Sequence, residues 1–408
     1  MIELLAGVRV IESAMLFNGD RLGALLGDLG ADVIKVESPA GGDYLRDMLG
    51  QLVPHFSPAF VQANRHKRSI TIDLRKADGR EVFWRLLATA DVFVDGNTAD
   101  ACSKLGIGYQ DQRARKADIV YCQYTGFGAS GPYRSIPTHG QMMDALAGAL
   151  PVEVDEAGEV RRKPPGSSMT TTEYGGEGHA TGAAYAAFHV AAALFRKSVT
   201  GEGCYIDVAS SDAVIANAWV GATYSINSSR IVDRGSIPPD DLGPKYSFYQ
   251  SKDDRFVLFC CIEPKFWDRF CRATNREDLM ARKDSAGPVD FGAGDPALRE
   301  ELTGIFRSRS QAEWLDLASQ HQVPIGPAPT SPAELPDDPH LQTREIFYEA
   351  RHPRAGPFTY IGQPAMVAGQ PFAIRRHAPG LGEHTDEILR QLGYVPADVS
   401  RLRSDGVV

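Results

Sequence analysis

A chain of 408 residues, 43% of them hydrophobic, exceeds the usual size of one compact core, so two domains or one large α/β domain with an insertion is expected. Its 52 acidic and 43 basic side chains leave a formal net charge of −9, which disfavours nucleic acid as a general partner because phosphate contacts need clustered Lys and Arg. The six cysteines (Cys102, Cys122, Cys204, Cys260, Cys261 and Cys271) form no CxxC pair and no even spacing, which argues against zinc and a secreted disulfide framework and fits a reduced cytoplasm.

The amino terminus, Met1-Ile-Glu-Leu-Leu, lacks the basic segment and apolar run of a signal peptide. Short β-branched runs then alternate with helical patterns. Val8-Arg-Val-Ile-Glu12 is followed by apolar residues at Leu22, Leu25, Leu26 and Leu29 and then by Asp32-Val-Ile-Lys-Val36, a βαβ unit that predicts a parallel sheet. Further strands are predicted at Ser69–Asp73, Asp91–Val94 and Ile119–Gln123, with a helix from Gly79 to Ala88. The fold expected is α/β with a Rossmann-like sheet. No nicotinamide cofactor follows from that topology, since the first strand-to-helix turn, Met15-Leu-Phe-Asn-Gly-Asp20, carries no G-x-G-x-x-G. Val152 to Ser168, rich in charge, Gly and Pro, reads as a connecting loop. Ala180 to Phe195 is the nearest approach to a membrane span, yet it is Ala-rich, contains His189 and runs into Arg196-Lys197, so it reads as a buried helix and no membrane is expected. A strand at Cys204–Val208 and a helix from Ser210 to Ser225 follow. From Asn227 the texture changes: Tyr246–Tyr249 and Phe256–Cys261 read as a hairpin and Phe266–Ala318 as mostly helical. The organisation predicted is a large domain begun by residues 1–226, a smaller α+β domain over 227–322, and a return to the large domain over 323–408, starting at Val323-Pro-Ile-Gly-Pro327 and closing on a helix at Thr385–Leu392.

Six motifs in this order and spacing resemble the class III coenzyme A transferases, the family of formyl-CoA transferase and carnitine CoA-transferase. They are Leu5-Ala-Gly-Val-Arg-Val-Ile-Glu12, Leu29-Gly-Ala-Asp-Val-Ile-Lys-Val-Glu37, Asn64-Arg-His-Lys-Arg-Ser-Ile-Thr-Ile-Asp73, Gly126-Phe-Gly-Ala-Ser-Gly-Pro-Tyr133, Thr200-Gly-Glu-Gly-Cys-Tyr-Ile-Asp-Val208 and Leu381-Gly-Glu-His-Thr-Asp-Glu-Ile-Leu389. The likeness spans nearly the whole chain. It implies a large domain built from both ends of the chain, two subunits interlocked like links, and coenzyme A or acyl-CoA together with a carboxylic acid as substrates. A transferase of this class holds an acyl group on a carboxylate as a mixed anhydride so that a second acid can take the place of the first. The resembled enzymes carry that Asp in a G-D-x-x-x-G turn opening the helix that here starts near Ala180. In Met169-Thr-Thr-Thr-Glu-Tyr-Gly-Gly-Glu177-Gly-His179-Ala-Thr-Gly182 its place falls on Gly178 or His179, and neither is an acid. Glu177 stands one or two positions away and is the substitute candidate.

The resemblance also matches a Gln of the family to Phe17 and an acid to Gly140. Three polar groups lost together point to a chain whose partner, a paralogous subunit with an intact turn, supplies the nucleophile. That arrangement is similar to the succinyl-CoA:benzylsuccinate transferases. By position, the family's contacts to coenzyme A fall on Leu16, Phe17 and Asn18, on Ile72 and Arg75, and on Asn97 and Lys104. Arg75 and Lys104 retain positive charge for phosphate, whereas Ser38 and Pro137 stand where members of the family have a base. His139 would line the same pocket. In the related 2-methylacyl-CoA racemases a His at that place exchanges an α-proton with a second base, so a racemase using His139 and Glu177 is an alternative. A coenzyme A-binding scaffold without turnover is another. Lys67-Arg68 is read as structural and Glu383-His384-Thr385 as the amino-terminal cap of the last helix. No metal site is expected.

Overall fold

The computed structural model describes residues 1–98, 100–162, 177–231, 243–282 and 287–408. The chain divides into two compact units, Met1–Tyr224 with Thr343–Val408, and Ser225–Gln342.

In the larger unit β1 (Arg9–Ser13), α1 (Leu16–Asp28), β2 (Asp32–Glu37), β3 (Lys67–Thr71), α2 (Ala77–Leu87), β4 (Val92–Asp95), β5 (Val120–Thr125), α3 (Glu177–Thr200), β6 (Cys204–Ala209) and α4 (Ser210–Asn217) follow one another. The six strands form one parallel sheet in the order β3-β2-β1-β4-β5-β6, as the alternation of β-branched runs and helices predicts. Val10, Val33, Val92, Val94 and Val120 pack under α1 and α3, while Ile11, Ile34, Ile70 and Phe93 meet α2 and the carboxy-terminal helices. The period of two along each strand sends alternate residues to the two faces, and both faces are covered. The strand order reverses between β1 and β4, which makes the carboxyl ends of those two strands the natural crevice for a ligand.

Several local expectations are corrected. The described part of Val152–Ser168 is a hairpin, Val152–Val154 against Val160–Arg162, because the Asp155 carboxylate accepts the Ala157 and Glu159 amides and so builds a tight turn. The helix expected over Ser210–Ser225 breaks at Ala218 into α4 and Trp219–Ile226. The helix expected over Ala180–Phe195 runs from Glu177 to Thr200 and is buried on one side only. Ala183, Ala186, Val190 and Ala193 pack on the sheet, but Phe188 and Phe195 are 68% and 73% exposed. His384 is, as expected, the N-cap residue of the helix Thr385–Gln391, with Asp386 and Glu387 in its first turn, but its side chain makes no capping hydrogen bond. It accepts the Ser69 amide of the edge strand β3 (3.2 Å), and Thr385 Oγ1 accepts that of Thr71 (3.2 Å), so the motif seals the sheet edge.

The smaller unit joins a three-stranded antiparallel sheet (Tyr246–Gln250, Phe256–Cys260, Ile325–Pro327) to the helices Pro264–Ala273, Pro296–Phe306 and Gln311–His321 around Trp267, Phe270, Phe306 and Trp314. Val323–Pro327, expected to lead back to the large domain, instead places its strand beside Phe256–Cys260. Among the described residues no helix is long and apolar enough to cross a membrane.

Candidate active site

The turn from β1 into α1 is closely packed against the end of β1. A Cβ at Gly19 would lie 2.0 Å from the Ala14 Cβ, and one at Gly96, just after β4, 2.5 Å from the same atom. Only glycine at both positions lets α1 and the β4 turn close on the end of β1. Leu16 enters α1 with φ +61°, the left-handed region that a branched side chain enters only under constraint. Its amide donates to both oxygens of Asp43 (3.2 and 3.1 Å).

Directly behind this turn lies a group of charges with no solvent exposure: Glu12, Asp20, Lys35, Asp43 and Lys67. Glu12 and Lys35 are register partners on β1 and β2. The Lys35 ammonium donates to the Ala14 carbonyl (2.8 Å) and pairs with Asp43 (2.9 Å), Glu12 (3.3 Å) and Asp20. Lys67 pairs with Glu12 at 2.8 Å and reaches Asn64 Oδ1. A Cβ at Gly23 would meet Glu12 Oε2 at 1.7 Å, so the absence of a side chain in α1 makes room for the carboxylate. Burial pushes Asp43 up, but the Lys35 charge and hydrogen bonds from Asp20 and the Leu45 amide outweigh it and hold its carboxyl at about 2. Burial dominates at Asp20, which stays well above the usual carboxylate range despite Lys35. Burial would lower Lys35, yet Asp20, Asp43 and Glu12 raise it well above an ordinary lysine. The result is a Lys35–Asp43 pair favoured in its ionised form, with Asp20 pushed the opposite way by burial. Sequence reading passed over Glu12, Asp20, Lys35 and Asp43 and took Lys67 as structural. The available signal was a charge at mid-strand in segments that a parallel sheet buries on both faces, where an ion must find a partner.

A hydrogen-bonded chain runs from this turn to the start of α3. Asn18 Nδ2 donates to Ser210 Oγ (3.2 Å), Ser210 to the Tyr124 hydroxyl (3.1 Å), and Tyr124 to the Gly178 carbonyl (3.2 Å). Gly178 is buried, and its amide donates to Asp144 Oδ1 (3.0 Å), a carboxylate 1% exposed on the helix Met142–Leu146. A Cβ at Gly178 would stand 3.1 Å from Met143 Cβ, 3.5 Å from Val214 Cγ2 and 3.6 Å from Asp144 Oδ1. Asp144 too was passed over, since its role depends on a contact across 34 residues.

The residues singled out from sequence stand at the carboxyl ends of the strands. Leu16, Phe17 and Asn18 open α1, and Leu16 and Phe17 pack on the cluster of Leu45, Phe60 and Tyr360. Asn97 follows β4 and donates to the Ser13 carbonyl (2.9 Å), which ties the second of these turns to the first. Ile72 is a core residue beyond β3, and Arg75 is engaged bidentately by Asp73 (2.9 and 3.0 Å). Lys104 is exposed at the end of Ala101–Lys104. His139 is exposed on the loop after β5, whose return is pinned by Thr138 against Gly126. Glu177 opens α3, and its side chain lies outside the described residues. Lys67 is structural, and Arg68 bridges Asp32 (2.6 Å) and Glu387 (3.0 Å).

A Rossmann-like parallel sheet with paired turns at its switch point, packed by a long helix in which Gly178 is buried, defines an α/β fold with a crevice at the strand ends. Residues 5–385 match CoA-transferase family III, and the chain belongs to that family. It is 28% identical to a formyl-CoA:oxalate CoA-transferase of Rhodopseudomonas palustris, over all of this chain and 98% of the relative. It is 28% identical to the human succinyl-CoA:glutarate CoA-transferase, over all of this chain and 90% of the relative. The beta subunit of a succinyl-CoA–L-malate CoA-transferase from Chloroflexus aurantiacus is also 28% identical, over 99% of this chain and 98% of that one. Among solved structures, a CaiB/BaiF family protein from Brucella suis superposes with a TM-score of 0.72 at 25% identity, over 96% of this chain and all of that one. Membership of the family supports a CoA-transfer function with CoA thioesters as substrates.

Proposed function

We propose that this chain is the subunit of a hetero-oligomeric CoA-transferase that lacks the acylatable carboxylate, and that it moves CoA between carboxylic acids together with a paralogous subunit that carries one. The observation behind the reading is the first turn of α3. At Gly178, which with His179 is one of the two positions where the family resemblance puts an Asp, the residue is buried against Met143 and Val214, and its amide is taken by the chain's own Asp144. In the reaction the partner's carboxylate attacks the thioester carbonyl, and CoA leaves as a thiolate. The acyl group is held on the carboxylate as a mixed anhydride, and the thiolate then adds to the partner's carboxyl carbon and releases the first acid. The second acid displaces CoA from that enzyme thioester, and the thiolate opens the new anhydride to the product acyl-CoA, returning the free carboxylate. This chain's share is to hold the CoA thioester in place at the turns after β1 and β4, with Leu16, Phe17, Asn18 and Asn97, so that the reacting centres meet in a fixed geometry.

Two further observations support a partner. Tyr185, Phe188, Phe195 and Val199 on α3 and Trp219 and Tyr224 on the helix after α4 are exposed large apolar side chains that a partner subunit would cover. The Chloroflexus relative is itself named as one subunit of a transferase. The test is purification from the native source, identification of the companion chain, and assay of acyl transfer by each alone and by the mixture. Turnover by the mixture only is expected. Turnover by this chain alone at the rate of the mixture overturns the reading.

A further inference from the structure

We propose that Asp43, backed by Lys35, is a positioning residue for the CoA thioester: it holds Leu16 in its left-handed conformation and so fixes the course of the Leu16–Asn18 turn. The inference rests on the reading that CoA lies at this turn. It starts from the strain. Of the residues that lead from β1 into α1, Leu16 is the one with a positive φ, and it is not a glycine. Non-glycine residues persist in that region only where their surroundings over-determine them, and such places cluster at ligand turns.

The surroundings here are specific. Asp43 meets the Leu16 amide with both oxygens, while Lys35, paired with Oδ2 of the same carboxylate, holds the Ala14 carbonyl two residues earlier. The turn is thus gripped at one N–H and one C=O by the two halves of a single ion pair with no exposure to solvent. Asp43 is itself fixed. Its amide donates to Glu37 Oε1 (3.1 Å), its Oδ1 also accepts the Leu45 amide (2.9 Å), and Gly42, at φ +66°, brings the chain so close to Glu37 and Leu381 that a Cβ would clash at 2.7 and 2.5 Å. A buried ion pair adds little net stability over a hydrophobic pair of the same shape, so its presence beside a strained turn fits a role in specifying geometry. From this turn the chain Asn18, Ser210, Tyr124 carries the position on to Gly178. A displaced Leu16 would therefore move the ligand turn and the start of α3 together.

The experiment measures CoA binding by calorimetry and amide hydrogen exchange over residues 14–20 in the full chain and in Asp43→Asn, Leu16→Gly and the double variant. Positioning through the left-handed residue predicts that Asp43→Asn weakens CoA at least tenfold and speeds exchange of the Leu16 amide. In the Leu16→Gly background, where φ is free, the same change costs no more than about threefold, because the two residues act on one conformation. A role confined to general stability gives the same factor in both backgrounds and overturns the proposal. Unchanged exchange in a folded Asp43→Asn overturns it as well. Exchange that responds as expected in a chain that binds no CoA leaves the grip on Leu16 standing and removes CoA as the ligand. Should Asp43→Asn fail to fold, Leu16→Pro decides the matter. Proline suits the first turn of a helix but forbids positive φ, so a folded chain with CoA affinity reduced at least tenfold is expected, and wild-type affinity refutes the proposal.

Discussion

Placing an acid at the first turn of α3 tests the assignment of the silent half most directly. In Gly178→Asp the new Cβ meets Met143 Cβ at 3.1 Å and Val214 Cγ2 at 3.5 Å, contacts that a shift of a few tenths of an ångström relieves. The greater obstacle is electrostatic. The same Cβ would stand 3.6 Å from Asp144 Oδ1, so two carboxyl groups would share one site within roughly 5 Å. At an effective dielectric constant of about 20 their repulsion is about 3 kcal/mol, or about two pKa units on one of them, and the amino-terminal dipole of α3 returns only about 0.5 to 1 kcal/mol. The single variant should therefore form little acyl adduct at about pH 5, where a carboxyl raised by about two units is mostly protonated. In Gly178→Asp/Asp144→Asn the amide oxygen of Asn still accepts the Gly178-position N–H while the competing charge is gone, and the adduct should rise at least tenfold. The assay is incubation with a short acyl-CoA, trapping with hydroxylamine and mass measurement of the peptide that carries residue 178. Equal adduct in the single and double variants would refute the electrostatic argument. No adduct in either folded variant would refute the assignment of position 178 to the nucleophile.

Lys35→Met leaves Glu12, Asp20 and Asp43 buried without their shared cation and should cost about 3 to 5 kcal/mol at pH 7 by urea unfolding. Asp43, held at about 2 in the folded wild type, contributes stability that is present above the ordinary carboxylate pKa and lost as pH falls towards 2. The difference between variant and wild type should therefore narrow below about pH 4, and a gap that is the same at pH 7 and pH 3 would contradict the pairing. Gly19→Ala, with its Cβ 2.0 Å from that of Ala14, should lower stability by about 1 to 3 kcal/mol and weaken CoA binding, whereas unaltered thermal unfolding would show that α1 can move aside. Phe188→Ser with Trp219→Ser, at side chains 68% and 66% exposed, should leave thermal unfolding of the isolated chain within about 0.5 kcal/mol while lowering the sedimentation coefficient of the assembly. An unaltered assembly would place the interface elsewhere.

The alternation of β-branched runs with helical periods in Val8–Val36 sufficed to specify a parallel sheet, because pleat and helix periods are local properties of the chain. The absence of G-x-G-x-x-G at Met15–Asp20 and of an acid at residue 178 could likewise be read directly, being questions of residue identity. The hairpin at Val152–Arg162 escaped because its strands are only three residues long and exposed throughout, too short for a period of two to stand out among the charged, Gly and Pro residues around them. What only the tertiary structure decided is which polar groups meet. Lys35 and Asp43 close on Leu16, Asp144 reaches Gly178 across 34 residues, and His384 covers Ser69 across 315. Each of these is a contact between segments whose separate sequences are ordinary. The desolvation that forces buried ions and amides to pair arises only once the sheet and its helices have excluded water from around them.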